Sequence, residues 1–450
     1  MYTYMPAISS TKTLSNEYFW LFAALFGLRY IRVISNIFGN IIYRPTILAR
    51  SPKYNATNVT VMIPTMGLNS DLLQGVVNSI LVHPIAKLIV VTNGPNFELE
   101  TETFTETIPD SRIQLLHCDF QGRRQKTAVA IPYIQTPLVV LQDNKTTWPT
   151  STSFLPLMLA PFEDPKMGAV MPLIEARHHH HRFPIEAFYN FLGMTYLVRR
   201  NHEYRACNAI DSGLSTVPGR FGLFRTSIYA DERFQYEYLN EYCWLPFFGR
   251  RGPLDADDDK FHTRWLIEHG WKMKIQSFAE TTMITENGES RRFASQMMRW
   301  TRTTWRSNPR ELMHGKVWRR YPFTSITLLL WMVRMSLFHE VLLFWLLYKI
   351  HESVGNMRYF PGCAATLAFW IVALKFNKVS HHFSNYPKDL VWFIPYVLFG
   401  WYCSFVKIWA MVTWYKIEWE VAELTTVLEQ AEFEEVSGDT KEVAPGVIRL

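Results

Sequence analysis

Four aspartates, Asp255, Asp257, Asp258 and Asp259, crowd the start of LDADDDKFHTRWL (Leu254–Leu266). Carboxylates this close repel one another. The repulsion raises the proton affinity of at least one of them and suits it to act as a base. The same run also suits a solvated helix amino terminus, where the dipole favours acids. Further on, Gln296, Arg299 and Trp300 stand as QxxRW within FASQMMRWTRTTWRSNPR (Phe293–Arg310). On a helix this spacing puts Gln296 and Trp300 on one face, with Arg299 beside them. An indole can floor a sugar site, and Gln and Arg can bind hydroxyls or phosphate. The helix also carries Arg302, Arg306 and Arg310 beside Phe293, Met297 and Trp305. A plainer reading is therefore an interfacial helix whose arginines meet lipid phosphate.

The elements that must position these groups follow a βα pattern. VTVMIPT (Val59–Thr65), LIVVTNG (Leu88–Gly94), IQLLHCD (Ile113–Asp119) and PLVVLQD (Pro137–Asp143) read as four buried strands. After the first, Ser70 and Asp71 cap a helix with Leu72, Leu73, Val76, Val77, Ile80 and Leu81 along one stripe. Strands alternating with helices predict a largely parallel sheet covered on both faces, with ligands beyond the carboxyl ends of its strands. Thr65, Asn93 and Asp143 fall at such ends. A second part, from about Met167 to Glu280, contains a Gly/Ser/Pro loop, Asp211–Gly219, followed by a basic strand.

Apolar residues are 48% of the chain, yet mean hydropathy is only −0.05. That pair of values excludes a pure transporter and fits a catalytic domain joined to membrane helices. Phe19–Tyr43, Phe323–Tyr348 and Trp392–Trp414 are long enough to span; Cys363–Phe376 is short and reads as re-entrant or tilted. Residues 1–16 read as a loose polar segment, and residues 417–450 as an acidic disordered tail. Arg44, Arg50 and Lys53 follow the first span and place the next domain in the cytosol. Lys375, Lys378 and Lys388 place the last connection on that same side. Arg334, His339, Glu340 and Lys407 lie within apolar spans, where such groups line a pathway or pair inside a bundle. The net charge of +6 suits an anionic leaflet and a small anionic ligand, and no nucleic-acid module is present. Five scattered cysteines without a CxxC pair suggest neither a disulfide framework nor a zinc site. The His178–His181 run reads as a solvated loop.

The segments QMMRWTRTTWRS and DDDKFHTRW, followed by membrane spans, resemble the processive family 2 glycosyltransferases: hyaluronan, chitin and cellulose synthases. RWTRTTWRSNPREL is most similar to the fungal capsular-polysaccharide and hyaluronan-synthase-like branch. The resemblance covers about Tyr43 to Trp419. It implies a GT-A-like α/β nucleotide-sugar transferase domain with a mostly parallel sheet (residues 54–289). Around it come an anchor (17–43), interface helices (290–319) and transmembrane helices (320–416). It also implies a UDP-sugar donor, a polysaccharide acceptor, Mg²⁺ or Mn²⁺, and a plasma-membrane protein with its catalytic domain in the cytosol.

Carried over residue by residue, the resemblance makes Asp259, the last of the acidic pair with Asp258, the catalytic carboxylate. Asp257 replaces that motif's glycine. Thr65 and Asn93 hold the nucleotide, although the acid usual near Asn93 is not apparent. Arg123 and Lys126, in QGRRQK, lie near the diphosphate. Gly213, Gly219 and Arg220 match the acceptor loop, and Gln296, Arg299 and Trp300 frame acceptor and diphosphate. Asp143 aligns with the first acid of Asp-x-Asp, before Trp148-Pro149. Lys145 stands where a second metal ligand belongs, and an ammonium repels a divalent cation. Either Lys145 replaces part of the metal's charge on the diphosphate, or the site is weak. Two further readings stay open: a non-catalytic partner of an active synthase, and a non-processive lipid glycosyltransferase.

Overall fold

The computed structural model describes residues 8–179, 183–245, 249–254, 257–286 and 290–416. Asp255, His180, His181, the first seven residues and the acidic tail lie outside the described residues. Twelve strands are present among them: β1 (Val59–Pro64), β2 (Lys87–Thr92), β3 (Ile113–His117), β4 (Leu138–Gln142), β5 (Thr146–Thr147), β6 (Met167–Pro172), β7 (Ile174–Ala176), β8 (Phe221–Arg225), β9 (Cys243–Leu245), β10 (Gly249–Arg251), β11 (Lys272–Gln276) and β12 (Met283–Thr285). Seven form the central sheet in the order β11-β6-β8-β4-β1-β2-β3. Pairing is parallel except at β8, which runs antiparallel to both β4 and β6.

Alternation along the strands builds two cores. Val59, Val61 and Ile63 join Leu88, Val90, Leu138 and Val140 on one face. Met62 joins Ile89, Val91, Val139 and Leu141 on the other. Residues one apart point to opposite faces, so each strand is apolar throughout. Each such side chain contributes roughly 1.5–3 kcal/mol by burial, and a one-residue register slip would exchange the two faces.

The helices are α1 (Ile8–Ile42), α2 (Asp71–Leu81), α3 (Phe97–Thr107), α4 (Arg123–Ala130), α5 (Phe154–Leu159), α6 (Pro184–Asp211), α7 (Thr226–Tyr229), α8 (Glu232–Leu239), α9 (Asp258–Glu268), α10 (Ser290–Met313), α11 (Gly315–Arg320), α12 (Pro322–Val333), α13 (Ser336–Val354), α14 (Phe360–Asn377), α15 (Ser380–Asn385) and α16 (Phe393–Val412). The capping of α2 differs from expectation, because Ser70 makes no side-chain cap bond. α1 is fixed to the sheet edge: Tyr43 Oη donates to the Ile275 carbonyl at 2.6 Å, and the Thr46 amide to Gln276 Oε1 at 2.9 Å.

Three helical stretches are long and apolar enough to cross a membrane: Glu17–Ile42, Met357–Asn377 and Pro387–Val412. Four sequence expectations change here. Helix α1 begins at Ile8, inside the segment read as loose, because neither Pro nor Gly interrupts Ile8–Phe19. Phe323–Tyr348 is not one straight span but α12 and α13, bent by 82°. At the break, Lys407 Nζ donates to the carbonyls of Trp331 and Arg334, both at 2.8 Å, and the Leu337 amide donates to Ser404 Oγ at 3.1 Å. Those bonds satisfy backbone groups the bend removes from the helical ladder. Cys363–Phe376 belongs to a full-length helix, because a 3₁₀ turn at Met357–Tyr359 leads directly into α14. His178 is docked, not solvated: its ring stacks on Tyr386 at 4.1 Å and its Nε2 lies 3.1 Å from Asp389 Oδ2.

Candidate active site

The site forms where the amino terminus of α9 faces the carboxyl ends of β1, β2 and β4. Asp257 opens α9 with a left-handed backbone, φ 69°, a conformation in which glycine is at ease and aspartate only tolerated. The side chain is held by α10. Arg306 donates to Asp257 through Nε at 2.8 Å and Nη2 at 3.1 Å, and Thr303 Oγ1 donates as well. Both charged side chains of the Asp257–Arg306 pair are only 2% exposed, which makes this a structural ion pair.

The next two aspartates diverge. Burial works against ionisation of Asp258, but Arg123, with Nε 3.3 Å from its Oδ2, holds it below the usual carboxylate range. His262 supports it from the same helix: Nδ1 lies 2.6 Å from the Asp258 carbonyl and Nε2 2.8 Å from Tyr229 Oη. Burial pushes that imidazole down to about 4, so it is neutral. Asp259 goes the other way. Burial first, then the Asp258 charge, push it up to about 6, against the attraction of Arg200. The crowding expected from sequence therefore raises the proton affinity of Asp259.

Around Asp259 the acceptor loop divides in two. At its start, the Gly213 amide donates to Asp211, whose other oxygen accepts from the first turn of α12 at Thr324. Gly213 thus anchors the loop to α12 and does not face the cleft, which corrects its placement at the acceptor site. At the loop's end, a side chain on Gly219 would lie 3.5 Å from Arg123 Nη1 and 3.6 Å from Asp259 Cβ. Arg123 Nη2 donates to the Gly219 carbonyl at 2.6 Å. Arg220 places its guanidinium 5.9 Å from the Trp300 ring centre, and it makes no hydrogen bond or ion pair among the described residues. Trp300 stacks on Tyr196 with centroids 5.6 Å apart and planes 9° apart. Arg200 donates to Tyr196 Oη at 2.5 Å and to Tyr204. Tyr196 and Arg200 were missed in sequence because they lie in the long, weakly amphipathic α6. Gln296 and Arg299 are half-buried on α10 beside Trp300.

The strand ends supply the remaining groups. The Asp143 amide donates to the Arg220 carbonyl at 3.0 Å, and Asp143 Oδ1 accepts from the Lys145 amide at 3.1 Å. Asn144 Nδ2 reaches Thr65 Oγ1 at 3.1 Å. Lys145 Nζ has no partner among the described residues. Lys126 departs from expectation. It is buried, and its ammonium donates to the Thr65 carbonyl at 2.8 Å, which makes it a support for the strand end.

At the end of β2, Asn93 Oδ1 is buried without a partner. The acid not apparent near it in sequence comes from α3. Glu100 Oε2 accepts from the Leu68 amide at 2.9 Å and would lie 2.9 Å from a Cβ at position 94, so Gly94 is what admits it. Its signal was two strand-end glycines, Gly67 and Gly94. Among the described residues no three His, Cys, Asp or Glu side chains converge to hold a metal ion. Asp143 brings one carboxylate and Lys145 a cation, a donor set that does not fit a divalent ion.

This sheet, with one antiparallel strand inserted and a raised-pKa carboxylate beside a cationic strand end, defines a nucleotide-sugar transferase of GT-A-like architecture. Residues 56–303 match the family described as glycosyltransferase like family 2, and the chain belongs to that family. It is 32% identical over 410 residues to a type 2 glycosyltransferase of Zymoseptoria tritici, covering 89% of this chain and 83% of that one. It is 29% identical over 418 residues to a type 2 glycosyltransferase of Pyricularia oryzae, covering 92% and 84%. In fold it is similar to the mannosyltransferase PcManGT of Pyrobaculum calidifontis, solved with GDP-Man and Mn²⁺. The TM-score is 0.50 at 16% identity, over 80% of this chain and 92% of that chain.

Proposed function

We propose that this chain is a membrane-embedded inverting glycosyltransferase that uses a UDP-sugar to extend a polysaccharide, as in the hyaluronan-synthase-like branch. The carrying observation is Asp259. It is a half-buried carboxylate at the cleft, raised toward neutral pH, against Gly219 and within the field of Arg200, which bonds Tyr196 of the Tyr196–Trp300 stack.

Asp259 takes the proton of the acceptor hydroxyl. The acceptor oxygen bonds to the anomeric carbon as the bond from that carbon to the diphosphate oxygen breaks. The leaving diphosphate departs with the electron pair, and the single displacement inverts the anomeric centre. Arg220 and Lys145 meet the charge that develops on the leaving group. Asn93 Oδ1 and Glu100 are acceptors suited to the ring N–H of a nucleobase such as uracil. Trp300, Gln296 and Arg299 frame the acceptor. The apolar helices embed the enzyme, with the catalytic domain in the cytosol beneath the plasma membrane and the polymer leaving through the helices.

Release of nucleoside diphosphate by the detergent-solubilised chain tests this reading. The donors are UDP-glucose, UDP-GlcNAc and UDP-glucuronate, singly and mixed, with GDP-mannose as a further arm. Turnover of a UDP-sugar, lost in Asp259→Asn and yielding long polymer, is the expected result. A single transferred sugar would replace polymer synthesis with lipid glycosylation. Absence of turnover in folded protein would leave a non-catalytic partner.

A further inference from the structure

A second cluster of charge lies on the membrane side of the molecule. Arg32 of α1, Arg199 of α6, Arg334 at the α12–α13 break, Lys378 at the end of α14 and Lys407 of α16 come from five separate elements. Contacts tie these elements together: the Arg32 guanidinium lies 5.7 Å from the Trp331 ring centre, Lys407 Nζ donates to the Arg334 carbonyl at 2.8 Å, and Val379, next to Lys378, shares a buried cluster with Phe191 and Leu192 of α6. Two carboxylates face the group, and both are taken. Glu203 pairs with Arg32 and accepts from Trp331 Nε1 at 2.8 Å. Glu340 takes Arg29 at 3.3 Å, Lys375 at 2.9 Å and Trp401 Nε1 at 2.8 Å. Lys407 spends its protons on two carbonyls, which leaves its charge uncancelled. The side chains of Arg199, Arg334 and Lys378 make no hydrogen bond or ion pair among the described residues, and Arg199 and Lys378 are exposed.

Packing several uncancelled cations beside apolar helices is unfavourable without a counter-anion. Their level in the fold points to its source. Arg32 pairs with Glu203 of α6, a helix of the catalytic domain, and Lys378 ends a span. The cluster thus sits where apolar helices meet the catalytic domain, the depth of lipid headgroups. It also adjoins the site: Arg199 precedes Arg200 on α6, and Cys403 on α16, beside Lys407 and Arg199, contacts Met297, one turn before Trp300 on α10. We infer that Arg199, Arg334, Lys378 and Lys407 form a vestibule that binds the phosphate headgroup of a membrane lipid.

The test uses the full chain in phosphatidylcholine nanodiscs, with and without phosphatidic acid, and in detergent with inorganic phosphate. Tryptophan-monitored thermal unfolding is the readout. The expected result is a rise in Tm with phosphatidic acid and none with inorganic phosphate. Arg199→Gln and Lys378→Gln, both exposed and unpaired, should each weaken the lipid's effect about fivefold. An equal rise in wild type and both variants would overturn the proposal, since the lipid would then act elsewhere. A rise with inorganic phosphate alone would overturn the lipid as source. A rise produced by a glucuronate oligosaccharide and not by phosphatidic acid would assign the vestibule to an anionic saccharide instead. The readout is binding, so inactivity of the enzyme would not affect it.

Discussion

The amino terminus of α9 and the vestibule among α1, α6, α14 and α16 are both dense in charge, and they treat it oppositely. At α9 charges are paired locally. Arg306 takes Asp257, and Arg123 takes Asp258. Arg124, Arg264 and Arg310 converge on Glu241. Only Asp259 is left with its proton affinity raised. In the vestibule Glu203 and Glu340 are consumed, and three cations remain without partners among the described residues. The lesson is that a paired buried charge holds the fold, whereas an unpaired one is kept for something that arrives. Paired and unpaired groups should therefore fail differently when removed.

The largest expected effect is on activity alone. Asp259→Asn should lower kcat about 10²–10⁴-fold in the diphosphate-release assay while leaving Tm within a degree or two. A comparable loss of Tm would break the distinction. Arg306→Ala is its opposite. It leaves Asp257 buried without its ion-pair partner and in a left-handed backbone, so stability should fall by about 3–5 kcal/mol, seen as a lowered Tm in detergent. Adding Asp257→Gly should recover most of that loss, because glycine suits φ 69° and removes the unpaired charge.

Arg220→Gln removes a cation that has no partner among the described residues and that, in the proposed reaction, meets the leaving group. It should lower kcat about 10²-fold with little change in Tm. The pH profile sharpens the comparison next. As the proposed base, Asp259 must be ionised to accept a proton, and its affinity is raised. kcat/KM should thus plateau above about pH 6 and fall about tenfold per pH unit below it. An acid limb near pH 4 would mean that burial leaves Asp259 unperturbed. The smallest effect belongs to Glu100→Gln. It should raise KM for the UDP-sugar several-fold, as expected for one charge-assisted hydrogen bond, and leave kcat unchanged.

Much of the fold was legible because its signals are local. The strands ending at Thr65, Asn93 and Asp143 show as short apolar runs, and the acidic opening of α9 and the aromatic α10 show in spacing alone. What was not legible depends on distance in sequence. β8 inserts antiparallel between β4 and β6, and no local pattern announces a partner eighty residues away (Leu138 beside Arg225, for instance). Gly213 and Gly219 read as one loop motif, yet Asp211 ties the first to α12 while the second faces Asp259. Lys126 reads as a diphosphate-proximal cation within QGRRQK, yet α4 turns it onto the Thr65 carbonyl. Phe323–Tyr348 has the length of a span, and only Lys407 and Ser404 on α16 make its break at Arg334 tolerable.

The sequence by itself determined the alternating α/β domain, the apolar helices, and the residue types of the site: Asp259, Arg220, Trp300 and the Asp143-Asn144-Lys145 strand end. Periodicity and composition encode these, and both are properties of neighbouring residues. The tertiary structure decided which aspartate carries the raised proton affinity, that Glu100 reaches Gly94, and that Tyr196 lies against Trp300. It also decided that cations from five elements meet beside the membrane helices. These outcomes depend on burial and on charge at a few ångströms, quantities that exist only once distant segments have packed together.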